Sequence, residues 1–88
     1  MRACSGFVLR NLVGENVLMP VGDNIKKFHG TVLMNELSVF IWEKMQKQIT
    51  REELLAEILN KYNIDAQTAG SDLDRILKRM KEMEIIDE

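Results

Sequence analysis

Proline, cysteine and histidine each occur once in this 88-residue chain, at Pro20, Cys4 and His29. A lone cysteine closes no internal disulfide, which fits a reducing compartment. One histidine and one cysteine are too few for a structural zinc site, which takes about four nitrogen or sulfur ligands. Ser38, His29 and Asp23 form a nominal hydrolase trio, but no nucleophile-elbow context surrounds Ser38, and most short chains offer such a set. The glycines are scattered and form no phosphate-cradling loop ahead of a helix. No apolar run approaches the ~20 residues that a membrane span needs. The opening Met1–Gly6 lacks the apolar stretch of a signal peptide, so a cytoplasmic protein with no membrane partner is expected. Together these absences predict no metal, no cofactor and no covalent chemistry. Any function has to be carried by a surface.

The composition present is that of an ordinary globular domain, 45% hydrophobic and 30% charged. The length fits one domain over residues 1–88. A net charge of −2 argues against affinity built on nucleic-acid phosphates, although a local basic patch remains compatible with it.

The first third alternates as strands do. Gly6–Asn11 places Phe7 and Leu9 on one face, Leu12–Asn16 carries the turn with Gly14 in it, and Val17–Met19 forms the second strand. Pro20 lacks an N–H donor and belongs at a strand end or an edge. Val21–His29 reads as a connection, and Gly30–Met34 as a third strand, giving an antiparallel meander. At Asn35 the apolar period changes to helical. Asn35 is the expected N-cap, followed by Leu37, Phe40, Ile41 and Met45 on one face, with Val39 and Trp42 widening it. Thr50-Arg51-Glu52-Glu53 fits a capping box, and Ile49 and Leu54 stand at the positions of a hydrophobic staple. The adjacent Glu52 and Glu53 suit the positive end of the helix dipole and do not read as a catalytic pair. That second helix presents Leu54, Leu55, Ile58, Leu59 and Tyr62.

Asp65 is the expected cap of a third helix, whose apolar seam is Ala69, Leu73, Ile76, Met80 and Met83, with Leu77 beside it. Asp74, Lys78 and Glu82 lace its opposite face at four-residue spacing. Gly70 marks either a close approach or a weak first turn. The fold class expected is α+β: a three-stranded antiparallel β-meander followed by three helices.

Two surfaces are open to a partner. The third strand ends the meander and has no proline or lysine within Thr31, Val32, Leu33 and Met34 to deter a guest strand. The third helix carries Asp72, Arg75, Ile76, Arg79, Met80 and Met83 along one edge, although a plain core seam with a solvated face accounts for the same pattern. A competing reading is a DNA-recognition helix using Arg75, Lys78, Arg79 and Lys81. The acids Asp72, Asp74, Glu82 and Glu84 interleave with these bases and weaken the field, so nucleic acid is not the expected partner.

Phe7-Val8-Leu9-Arg10, Pro20-Val21-Gly22 and above all Asn35-Glu36-Leu37-Ser38-Val39-Phe40-Ile41-Trp42-Glu43 resemble the PqqD family of coenzyme PQQ synthesis proteins. A Thr-x-Glu-Glu helix follows this block, and the Leu73–Met83 helix and Ile85-Ile86 are similar to the family's end, so the likeness runs from Phe7 to Ile86. Ser38, His29 and Glu84 depart from the family's usual glycine, asparagine and glycine. The resemblance implies a meander with a three-helix bundle, winged-helix-like in arrangement. It further implies a precursor-peptide recognition element, which holds the leader of a ribosomally made peptide and presents it to a modifying enzyme, often a radical-SAM maturase. Relatives take the leader as an added strand beside the third strand and against the third helix. On this reading Thr31, Val32, Leu33 and Met34 supply the edge, Ile76 and Met80 the floor, and Asp72, Arg75 and Arg79 the charged wall. An exposed edge can also pair with its own copy, so a monomer or a weak homodimer is expected.

Overall fold

The structure is a computed structural model that describes residues 1–28 and 30–87. His29 lies outside the described residues, and with it the geometry of the Ser38–His29–Asp23 trio; Glu88 lies outside them as well. In chain order the elements are β1 (Arg2–Ala3), β2 (Phe7–Leu12), β3 (Glu15–Pro20), α1 (Asn24–Lys27), β4 (Val32–Met34), α2 (Glu36–Lys44), α3 (Arg51–Lys61), α4 (Ala66–Glu82) and β5 (Ile86–Asp87).

The class is α+β, and the meander is a three-stranded antiparallel sheet in the order β2-β3-β4. Among the described residues four helices stand where the sequence suggested three. The additional one, α1, lies within the Val21–His29 connection. Its single turn is too short to show an apolar period, and no side chain caps it at Asp23. A second unforeseen element is the two-stranded sheet of β1 and β5, with Arg2 opposite Asp87 and Ala3 opposite Ile86. It is tied inward by backbone bonds from Ala3 N–H to Met45 O (2.7 Å) and from Cys4 N–H to Ile85 O (2.9 Å).

The β2–β3 hairpin runs in register from Phe7↔Pro20 to Leu12↔Glu15. The turn is therefore two residues, Val13 and Gly14, shorter than the Leu12–Asn16 expected. Both have positive φ, 52° and 83°, as the hairpin turns that match strand twist require. Glycine meets that demand freely, but a β-branched residue there is a conformational outlier. Val13 is also fully exposed and regains nothing by packing. The left-handed conformation costs a non-glycine residue about 1–2 kcal/mol. Val13→Asn is therefore expected to stabilise the chain by about 1 kcal/mol and raise its melting temperature by about 4–8 °C in a thermal scan. An unchanged or lower midpoint would refute the strain.

All three expected helix caps form. Asn35 Oδ1 accepts from Ser38 N–H at 2.8 Å and Asp65 Oδ1 from Thr68 N–H at 2.7 Å. The Thr50–Glu53 box closes in both directions, at 3.0 and 3.1 Å. Bound to the Thr50 backbone N–H, the Glu53 carboxyl is held below the usual carboxylate range, and the Thr68 N–H does the same for Asp65. Asp74 is lowered by its hydrogen bonds from the Arg51 guanidinium, one of them 2.9 Å from Nη2 to Oδ2. That ion pair joins α3 to α4, so Asp74 reaches across to the neighbouring helix where the sequence suggested a ladder with Lys78. The Arg51 guanidinium also lies 3.3 Å from where a side chain on Gly70 would begin, which makes this glycine a point of close approach. Each depressed carboxyl adds stability above its unfolded pKa and loses it as pH falls through the folded one. The melting temperature is expected to hold between about pH 7 and 5 and to fall below about pH 4. Asp74→Asn is expected to flatten that fall; an identical acid slope in the variant would count against the pair.

The core gathers Leu18 and Met34 from the sheet, Phe40, Ile41 and Trp42 from α2, Met45 just beyond it, and Leu54 and Ile58 from α3. Ala69, Leu73, Leu77 and Met80 of α4 complete it with Ile85 and Ile86. Helix α2 is buried on several sides, as its apolar residues suggested, and Phe7 meets Trp42 edge-on with ring centroids 6.3 Å apart. Leu59 departs from the expected face of α3 and is exposed. Among the described residues no polar or charged residue is buried. The seam of α4 divides: Ala69, Leu73 and Met80 enter the core, while Ile76 and Met83 are only half-buried.

Candidate functional site

Strand β4 pairs with β3 through Asn16↔Met34, Val17↔Leu33 and Leu18↔Val32, and ends the sheet. Strand period then decides which side chains face inward. Val32 and Met34 share the face of the core residue Leu18, and Met34 is only 6% exposed. Leu33 points to the opposite face and is 61% exposed. Beside β4 runs α4, and between them lies a groove of about 140 Å³.

Seven of the nine residues singled out in the sequence line this groove. Val32, Leu33 and Met34 come from the strand, and Arg75, Ile76, Arg79 and Met80 from the helix. Met80 is almost wholly buried and Ile76 half-buried. The other two lie elsewhere. Thr31 precedes β4 and lines a neighbouring apolar cavity of about 230 Å³. Asp72 lies outside the groove lining and accepts a hydrogen bond from Arg75 Nη2 at 3.1 Å.

Sequence reasoning missed Asn35 and Ser38, which line the groove where β4 turns into α2. The capping assignment held the necessary signal: a cap directly following a strand must stand at that strand's end. Phe7 and Phe28 were missed as well. Their rings pack edge-on at 4.9 Å in the cavity that also holds Thr31. Val32 and Met83 line both this cavity and the groove, so the two adjoin. At the other end Leu33, Met34, Asn35, Ser38 and Arg79 line a wide opening that also contains Glu15 and Glu36. The three spaces adjoin along β4 as a segmented trough, apolar at Thr31, with Arg75 and Arg79 in the middle and Glu15 and Glu36 at its far mouth.

Among the described residues, the lining of the central groove holds no histidine, cysteine or carboxylate. Among the described residues no group of three His, Cys, Asp or Glu side chains is placed to hold a metal ion. The one thiol, Cys4, is not among the groove's lining and stands beside β5, where burial and then the Asp87 carboxylate push its pKa up. What the trough offers is an unpaired strand edge above an apolar floor, the geometry that accepts an extended peptide.

No helix of the described chain is long and apolar enough to cross a membrane. No curated protein matches the sequence. A solved structure described as TbiB1 in complex with the TbiA(beta) leader peptide has the same fold, with a TM-score of 0.75 at 20% identity over 99% of this chain and 95% of that one. The family model for coenzyme PQQ synthesis protein D matches residues 15–86, so the α+β chain with its open strand beside α4 belongs to the PqqD family.

Proposed function

We propose that the protein captures the leader segment of a ribosomally made precursor peptide as a fourth strand on the free edge of β4, and presents it to a modifying enzyme. One observation carries the reading: β4 ends the sheet, and its outer side faces α4 across a groove instead of being covered by it. Main-chain hydrogen bonds to the guest supply affinity that is largely blind to sequence, while the trough selects alternate side chains. Family membership and the likeness to a protein solved with a leader peptide support the same reading. In this account residues 1–88 act as one cytoplasmic domain without catalysis of its own, α2 to α4 form a bundle behind the sheet in a winged-helix-like arrangement, and a radical-SAM maturase is the expected recipient. Thr31 to Met34 and the Asp72–Met80 stretch of α4 are the proposed contact surface.

The DNA-recognition reading is weaker on electrostatic grounds. On α4, Arg75 is bound to Asp72, and Arg51 to Asp74 beside it, so the helix offers no continuous positive face to phosphates. Titrating isotope-labelled protein with the short peptide encoded nearest its gene, and following amide shifts, tests the proposal. Saturable shifts on Val32–Met34 and along Asp72–Met83 are expected. Saturable shifts confined to other surfaces would refute strand addition at β4.

A further inference from the structure

We infer that the trough selects a peptide in which an acidic residue precedes a bulky apolar one by two or four positions, Arg79 receiving the acid and the Phe7–Phe28 cavity the apolar side chain. This rests on the strand-addition reading and specifies the guest's chemistry. The charged side chains lining the central groove are Arg75 and Arg79, with no carboxylate among its lining. Arg75 is already committed to Asp72. Arg79 is exposed, and among the described residues no carboxylate pairs with it. It stands at the Met34 end, lining both the groove and the outer opening. Glu15 and Glu36 in that opening repel a second acid further out, which confines the guest's negative charge to the level of Arg79. At the other end, Phe7, Pro20, Phe28 and Met83 form a largely apolar receptacle.

The order of the two residues follows from strand direction. Both existing pairings in this sheet are antiparallel, and antiparallel ladders are slightly the stronger kind per residue. A guest running antiparallel to β4 brings its N-terminal part to Met34 and its C-terminal part to Thr31, so the acid comes first. The even spacing follows from the pleat. Val32 lines the aromatic cavity and Met34 the opening that Arg79 shares; these two lie on one face of β4, and only guest residues an even number apart point to one side. Along α4, Arg79 and Met83 are one turn apart, about 6 Å of rise. Two strand residues span about 7 Å and four span about 13 Å. With side-chain reach these cover the distance, and longer spacings overshoot it.

The test is a displayed library of random twelve-residue peptides, selected in parallel on the wild-type protein and on Arg79→Glu, with the strongest binders then mapped by amide shifts. Arg79 is exposed, and a thermal scan checks that the variant is folded. Wild-type selection is expected to enrich Asp or Glu two or four positions before an aromatic or large aliphatic residue. Selection on Arg79→Glu is expected to place Lys or Arg at that position. A peptide chosen by the wild type should lose roughly tenfold or more in affinity for the variant and regain it when its acid is changed to lysine. Binders that shift Val32–Met34 but carry no acid preference, an odd spacing, or the same preference on both proteins would overturn this inference and leave strand addition standing. Recovery of no binder that perturbs β4 would overturn the underlying reading too.

Discussion

Ile76→Glu is expected to reduce peptide capture at least a hundredfold while the chain remains folded. Ile76 is half-buried, packs on the core from α4, and lines the groove beside β4. Covering the part of this side chain that is still exposed is worth about 1 kcal/mol. Glutamate forfeits that gain and must also lose part of its hydration when the peptide arrives. A carboxylate here is three residues from Arg79, within reach of its guanidinium along the helix, so the groove's cation is engaged before the guest binds. A loss of about 2.7 kcal/mol is a hundredfold in the dissociation constant, and calorimetry with the leader peptide reads it directly. Lys78→Glu changes charge by twice as much on the same helix but away from the groove, and is expected to leave affinity near wild type. Equal affinities for wild type and Ile76→Glu would remove α4 from the binding site.

The largest effect on stability is expected from Leu73→Ala. Leu73 is fully buried at the centre of the α4 seam. Truncating such a leucine costs about 2–5 kcal/mol, the spread reflecting how far the surroundings collapse into the cavity. A chain of this length has a total stability of about 4–13 kcal/mol. A loss near 3 kcal/mol lowers the melting temperature by about 12–24 °C. In urea the unfolding midpoint should drop with the slope unchanged, because the surface exposed on unfolding is nearly the same. A shift below 1 kcal/mol would mean that the core does not close around this residue. Because α4 also forms one wall of the groove, the variant should bind peptide more weakly as its unfolded fraction grows.

The caps at Asn35, Thr50 and Asp65 were legible because capping is a local contract between residues three apart, whatever lies beyond them. The apolar seam of α4 and the terminal position of β4 were legible through periodicity and chain order. Their meeting in one groove is a matter of packing, which the period alone leaves ambiguous: Ile76 and Met83 carry the same signal as Leu73 but line the trough. The β1–β5 pair was illegible because two-residue strands have no period, and their partners lie at opposite ends of the chain. The hairpin turn was misplaced because Leu12 and Val13 read as apolar strand and turn material in the wrong proportions. A β-branched valine is an outlier in the conformation it adopts there. Phe28 owes its place to α1, a single turn without a side-chain cap, so the aromatic cavity was hidden with it.

The pairing of Arg2–Ala3 with Ile86–Asp87 sets residues 2–3 and 86–87 side by side. Adjacent strands lie only about 4.8 Å apart, so a host polypeptide can enter through one end and leave through the other almost without changing its own path. Such a module can be spliced into a surface loop of a larger enzyme, or its ends joined and reopened elsewhere, without stretching either partner.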